Sequence, residues 1–154
     1  MTLAESPLRW RWVLAGGLFV ATVDALFAIG FWYLRNAIPP QRILQSIAAG
    51  LLGEASFSGG AATAGLGALL HYGIAMVMVA VYALAARRLP RLRDRPWSSG
   101  LIYGALLYAV MTFVVVPLSA ASPSPAIAGW IAASIAMHLL IGVLCAAFTR
   151  RALR

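Results

Sequence analysis

Four apolar runs, each long enough to cross a lipid bilayer and separated by clusters of arginine, constrain this chain more than any other feature. A bilayer core is about 30 Å thick and takes roughly 20 predominantly apolar residues in helical form. Runs of that length lie at about 12–34, 64–86, 98–118 and 126–149. Lipid-exposed strands or loops are excluded there, because unpaired backbone N–H and C=O groups in hydrocarbon are too costly. The expected fold is all-α, an integral membrane four-helix bundle that takes in 1–154 as a single transmembrane domain. Composition agrees. The chain is 62% hydrophobic and 10% charged, against roughly 45–50% and about 25% in a soluble domain, so much apolar surface must face lipid.

Arginine placement gives an orientation. The net charge is +8, and every basic residue is arginine. Arg9 and Arg11 precede the first run, Arg87, Arg88, Arg91, Arg93 and Arg95 separate the second from the third, and Arg150, Arg151 and Arg154 follow the fourth. Only Arg35 and Arg42 fall on the opposite side. The positive-inside rule then predicts cytoplasmic N and C termini in a bacterial inner (plasma) membrane. Trp10, Trp12 and Trp97 at one edge, with Trp32 and Trp130 at the other, fit aromatic belts at the two interfaces. The arginines lie between apolar runs and not along an amphipathic face, so no nucleic-acid partner is expected. Arg9 and Arg11 before an apolar run resemble a signal peptide. That run is longer than the usual ~7–15 residues and carries Asp24, so it is read as a retained span.

Between the first two spans the pattern changes. Pro39 and Pro40 stop the first helix. Residues 41–53 then place Ile43, Ile47 and Leu51 four apart, with Leu44 and Ala48 beside them and Arg42, Gln45 and Ser46 elsewhere. This predicts an extra amphipathic helix at the outer interface or the mouth of the bundle. It is expected either to cover the bundle end or to act as a lid that brings Gln45 or Glu54 to an inner site. The segment from Ser119 to Pro125 is uncharged and reads as a tight connector without chemistry.

Each span carries a stripe of small or polar residues suited to close helix packing in lipid. The stripes are Gly17, Ala21, Asp24 and Ala28; Ala64, Gly67, His71, Ala75, Met78 and Tyr82; Gly100, Gly104, Tyr108 and Met111; and Ser134, His138, Gly142, Cys145 and Thr149. Asp24, His71 and His138 stand out, because an ionisable residue inside a span costs ~2.5–3.5 kcal/mol or more and usually pairs or serves a pathway. Counted from the outer ends at ~1.5 Å per residue, Asp24 is ~15 Å deep, His138 ~18 Å and His71 ~10 Å. An intramembrane polar cluster in the outer half is therefore expected.

Three uses of that cluster follow. It can be a hydrogen-bonded Asp–His pair that joins helices. It can be a proton- or ion-linked site, since histidine titrates near pH ~6.5. It can ligate a haem or a transition metal through His71 and His138, with Asp24 as a carboxylate ligand. No catalytic motif is present, and Cys145 lies ~10.5 Å in helical rise from His138, too far for a nucleophile–base pair. The expectation is a non-enzymatic protein, either an accessory or interaction subunit or a small-solute or ion-linked membrane protein. Four helices enclose little volume, so transport is expected to involve a homodimer or a larger membrane complex.

The segments Ile43-Leu-Gln-Ser-Ile-Ala-Ala-Gly-Leu-Leu-Gly53, Gly59-Gly-Ala-Ala62, Leu66-Gly-Ala-Leu-Leu-His71, Gly100-Leu-Ile-Tyr-Gly104 and Val115-Val-Pro-Leu-Ser119 carry a resemblance. The chain resembles a family of small bacterial inner-membrane proteins with four helices and no established activity. The resemblance implies fold and location, and no mechanism.

Overall fold

The computed structural model describes residues 8–123 and 125–154. Among them the chain is helical, without strands. Four helices are long and apolar enough to cross a membrane: α1 (Trp10–Asn36), α3 (Gly60–Arg88), the span Pro96–Leu118, and α7 (Ala128–Ala152). The amphipathic helix α2 (Pro40–Leu52) and a 3₁₀ segment (Gly53–Ser58) connect the first two. A short α4 (Pro90–Asp94) links the second to the third. The third span is composite: α5 (Pro96–Val110), a π-helical turn (Met111–Val115) and α6 (Val116–Leu118). The chain is a four-helix membrane bundle.

Local chemistry explains the boundaries. Pro40, Pro90 and Pro96 each open a helix at a position where no N–H is needed. Ala37 closes α1 in the left-handed conformation with φ 53°, and its N–H reaches the Tyr33 carbonyl. Pro117 accounts for the π turn. A proline ring presses on the carbonyl four residues back, here Phe113, and a widened turn relieves the clash while keeping the backbone hydrogen-bonded in the membrane.

The packed core lies in the arginine-rich half. Val13, Val20 and Ala21 of α1, Ala75, Val79, Tyr82, Ala83 and Ala86 of α3, and Ile141, Cys145 and Ala146 of α7 form one buried cluster. The helices approach through the small residues of the expected stripes. A Cβ on Gly17 would meet Met76 of α3, and one on Gly16 would meet Phe148 of α7, at 2.6 and 2.8 Å. α5 lies outside this trio against α7, where a side chain on Gly104 would strike the His138 carbonyl and one on Gly142 the Gly100 carbonyl. Tyr103 ties α5 to α3 by donating its hydroxyl to the Met78 carbonyl at 2.8 Å.

The start of α1 and the end of α7 meet at the arginine-rich end. The Arg9 N–H donates to the Ala152 carbonyl at 2.9 Å. Arg11 and Arg151 lie 5.9 and 5.7 Å from the centre of the Trp12 ring. Tyr82 donates to the Leu92 carbonyl at 3.1 Å, which draws the α4 segment to the same end. The arginine clusters read from sequence thus converge in space.

Gly142→Val is expected to push α5 and α7 apart and lower stability by about 1–3 kcal/mol, the usual cost of overpacking. Thermal unfolding in detergent measures it. Gly73→Ala, where an added Cβ meets nothing within 4 Å, is the matched control and should not destabilise.

Candidate functional site

Above the packed half the helices part around a cavity of about 650 Å³. Its walls come from Phe27, Ala28 and Trp32 of α1, Leu70 and Ile74 of α3, Met111 and Val115 of the π turn, and Trp130 of α7. Helix α2 roofs one side with Ile43, Leu44, Ile47 and Leu51, the apolar stripe of its amphipathic pattern. Asp24, His71, Ser134 and His138 supply polar groups at the deep end, next to the packed core.

The three ionisable residues singled out in the sequence line this one cavity. The Asp24 carboxylate Oδ2 lies 3.9 Å from His71 Nε2, beyond hydrogen-bond range. His71 Nε2–H is given instead to the Ala21 carbonyl at 2.9 Å. His138 donates Nδ1–H to the carbonyl of Ser134, one turn back, at 2.8 Å, and its ring sits edge-on to Tyr108 with centroids 5.5 Å apart. A carbonyl can only accept, so these contacts fix which nitrogen of each neutral ring carries the proton. Among the described residues no hydrogen bond reaches the Asp24 carboxylate. It stands in the cavity beside two imidazoles that are tied to backbone.

The two residues expected of a lid sit elsewhere. Gln45 is buried against the start of α3, donating Nε2–H to the Gly60 carbonyl at 3.0 Å and to Thr63 Oγ1 at 3.2 Å. Glu54 is exposed and accepts from Ser122 Oγ at 3.3 Å. Neither lines the cavity. Gln45 anchors α2 to α3, assisted by Gly67, where any Cβ would strike the Leu44 carbonyl. The helix covers the cavity mainly with aliphatic side chains, while Gln45 is turned away to α3.

The connector after the third span does more than expected of it. Ser119, Ala121, Ser122, Pro123 and Pro125 line the mouth, and Ala120 N–H donates to the Gly50 carbonyl of α2 at 3.0 Å. Trp32 and Trp130, expected from sequence at an interfacial belt, also build the cavity wall. They pack on each other with centroids 5.1 Å apart and on Phe31 at 5.4 and 5.0 Å, and Phe27 stacks on Trp130 at 5.9 Å. Phe27 and Phe31 fall three and seven residues after Asp24, one helical face. That spacing was visible in the sequence and places aromatic rings directly above the acid.

Among the described residues no three His, Cys, Asp or Glu side chains are grouped so as to hold a metal ion. The alternative of a three-ligand metal site at His71, His138 and Asp24 therefore gains no support from the geometry. Comparison with protein-family models, with curated proteins and with solved structures gives no match.

Replacing Gln45 by Leu should remove both ties of α2 to α3 and cost about 1 kcal/mol. Hydrogen exchange is expected to quicken across 40–63 and to stay slow in the packed halves of α1, α3 and α7. Uniform loosening of all helices would contradict the anchoring role.

Proposed function

We propose that this chain is a bacterial inner-membrane protein, with both termini in the cytoplasm, that binds a small solute in its outer-half cavity and couples occupancy to protonation of Asp24. The observation that carries this reading is the Asp24 carboxylate, held within a membrane span, facing a cavity of about 650 Å³ and lacking a hydrogen-bond partner among the described residues. That volume is in the range of small-molecule sites. A residue kept for helix adhesion would close its hydrogen bonds, since an unsatisfied polar group in hydrocarbon is costly. Here the nearest donor, His71 Nε2–H, is spent on the Ala21 carbonyl. His71 at 3.9 Å is close enough to sense the charge of Asp24.

The reading is non-enzymatic. Cys145 is wholly buried in the packed half, away from the cavity, and the protons of both imidazoles are held by backbone carbonyls. The lipid bilayer is the principal partner. The cavity lies within one chain, so a second copy or a larger membrane complex would add regulation or stability and not the site itself. The exposed apolar face of α5, with Leu101, Ile102 and Leu106, is available to lipid or to such a partner.

Two measurements test this. Tags on either terminus should be protected from protease added outside intact cells, and a tag cleaved there would reverse the orientation. Asp24→Asn should leave the melting temperature in detergent unchanged or raise it, as expected when a costly intramembrane charge is kept for function. A clear fall, on the order of 1 kcal/mol or more, would assign Asp24 to helix adhesion.

A further inference from the structure

We propose that the cavity takes a lipophilic organic cation, and that the cation and a proton compete for Asp24. This rests on the cavity being the functional site. Among the described residues Asp24 is the one acidic residue in the lining. The two imidazoles beside it each direct an N–H at a backbone carbonyl and not at the carboxylate. The deep end of the cavity is thus, with Asp24 ionised, negative.

One to two turns above Asp24 on α1, Phe27 and Trp32 pack against Trp130 of α7, and this aromatic cluster lines the cavity wall. Aromatic faces attract a cation within about 6 Å of the ring centre and bury its apolar substituents. Among the described residues Arg42 is the one guanidinium in the lining. It is exposed on α2, stacked at 4.0 Å over Phe57, and so sits at the rim. An anion drawn to that rim would be repelled by the carboxylate as it moved deeper. A neutral solute would leave the carboxylate unpaired. A cation with an apolar body satisfies the acid, the aromatic rings and the aliphatic roof of α2 together.

Competition with protons follows from the groups that face Asp24. His71 comes from α3, His138 from α7 and Arg42 from α2. The third span contributes Met111, Val115 and Val116, none of which titrates. Protonating Asp24, or charging His71 at 3.9 Å, cancels the negative charge that holds the cation. Cation affinity therefore falls with acidity, and release of the cation is matched by uptake of a proton.

Tetraphenylphosphonium and tetraphenylborate test the proposal, because they share size and shape and differ in the sign of charge. The full-length protein in nanodiscs should bind tetraphenylphosphonium saturably, with quenching of tryptophan fluorescence, and tetraphenylborate at least about tenfold more weakly. Affinity for the cation should drop as the pH is lowered, because protons compete for the Asp24 carboxylate. Asp24→Asn should cost about tenfold or more at the higher pH, and Asp24→Glu should restore most of the loss. Ala28→Trp, which fills the cavity, separates the two claims. If both probes bind equally and Ala28→Trp abolishes both, the cavity reading stands and the cation proposal falls. If binding ignores Ala28→Trp, both fall. Failure of tetraphenylphosphonium to bind, or equal binding to wild type and Asp24→Asn, overturns the cation proposal.

Discussion

Close contact between helices through residues that lack bulk organises this molecule. Inside a bilayer the lipid is as apolar as a leucine side chain, so burying apolar surface between helices gains little, and association depends on van der Waals contact and hydrogen bonds. Gly16 and Gly17 of α1 let that helix reach α3 and α7. Gly100, Gly104 and Gly142 bring α5 and α7 together so closely that the backbones touch. These contacts, with Ala21, Ala75, Ala83, Ala86 and Ala146, form the packed core of the arginine-rich half.

The other half is built from the opposite kind of residue. Past Ala21, α1 carries Phe27, Phe31 and Trp32, and α7 opposes them with Trp130. Rings of that size cannot let helix backbones meet, so the helices separate and the cavity forms. The same change of side-chain size explains why Asp24 lies where it does. It is the first residue of its stripe above the tight contact, where a carboxylate can face open space and escape the full cost of burial in hydrocarbon.

The cavity has a roof because α2 is held down independently of what it covers. Gln45 bonds back to the Gly60 carbonyl and Thr63, and the Leu44 backbone sits directly on Gly67. The connector at Ala120 adds a backbone hydrogen bond to Gly50. With Gln45 turned to α3 and Ile43, Leu44, Ile47 and Leu51 turned inward, α2 covers the chamber mainly with aliphatic side chains and brings Arg42 and Ser46 to its lining. The π turn at Met111–Val115 lets the third span contribute Met111 and Val115 to the wall despite Pro117.

The four spans, their limits within a few residues, the amphipathic helix and the small-residue stripes follow from sequence. They depend on local rules: bilayer length, helical spacing and the cost of an unpaired backbone. Asp24, His71 and His138 were legible for the same reason, since an ionisable residue in an apolar run stands out without knowledge of its neighbours. The remaining features belong to the assembled bundle. Nothing in residues 41–54 distinguishes a Gln45 that reaches a ligand from one that bonds to the Gly60 carbonyl, because that choice depends on which side of α2 meets α3. The roles of Trp32, Trp130 and the connector at Ser119 in the cavity wall depend on how far α1, α3 and α7 diverge. That divergence is a balance of side-chain volumes from different spans, and only the tertiary structure sums them.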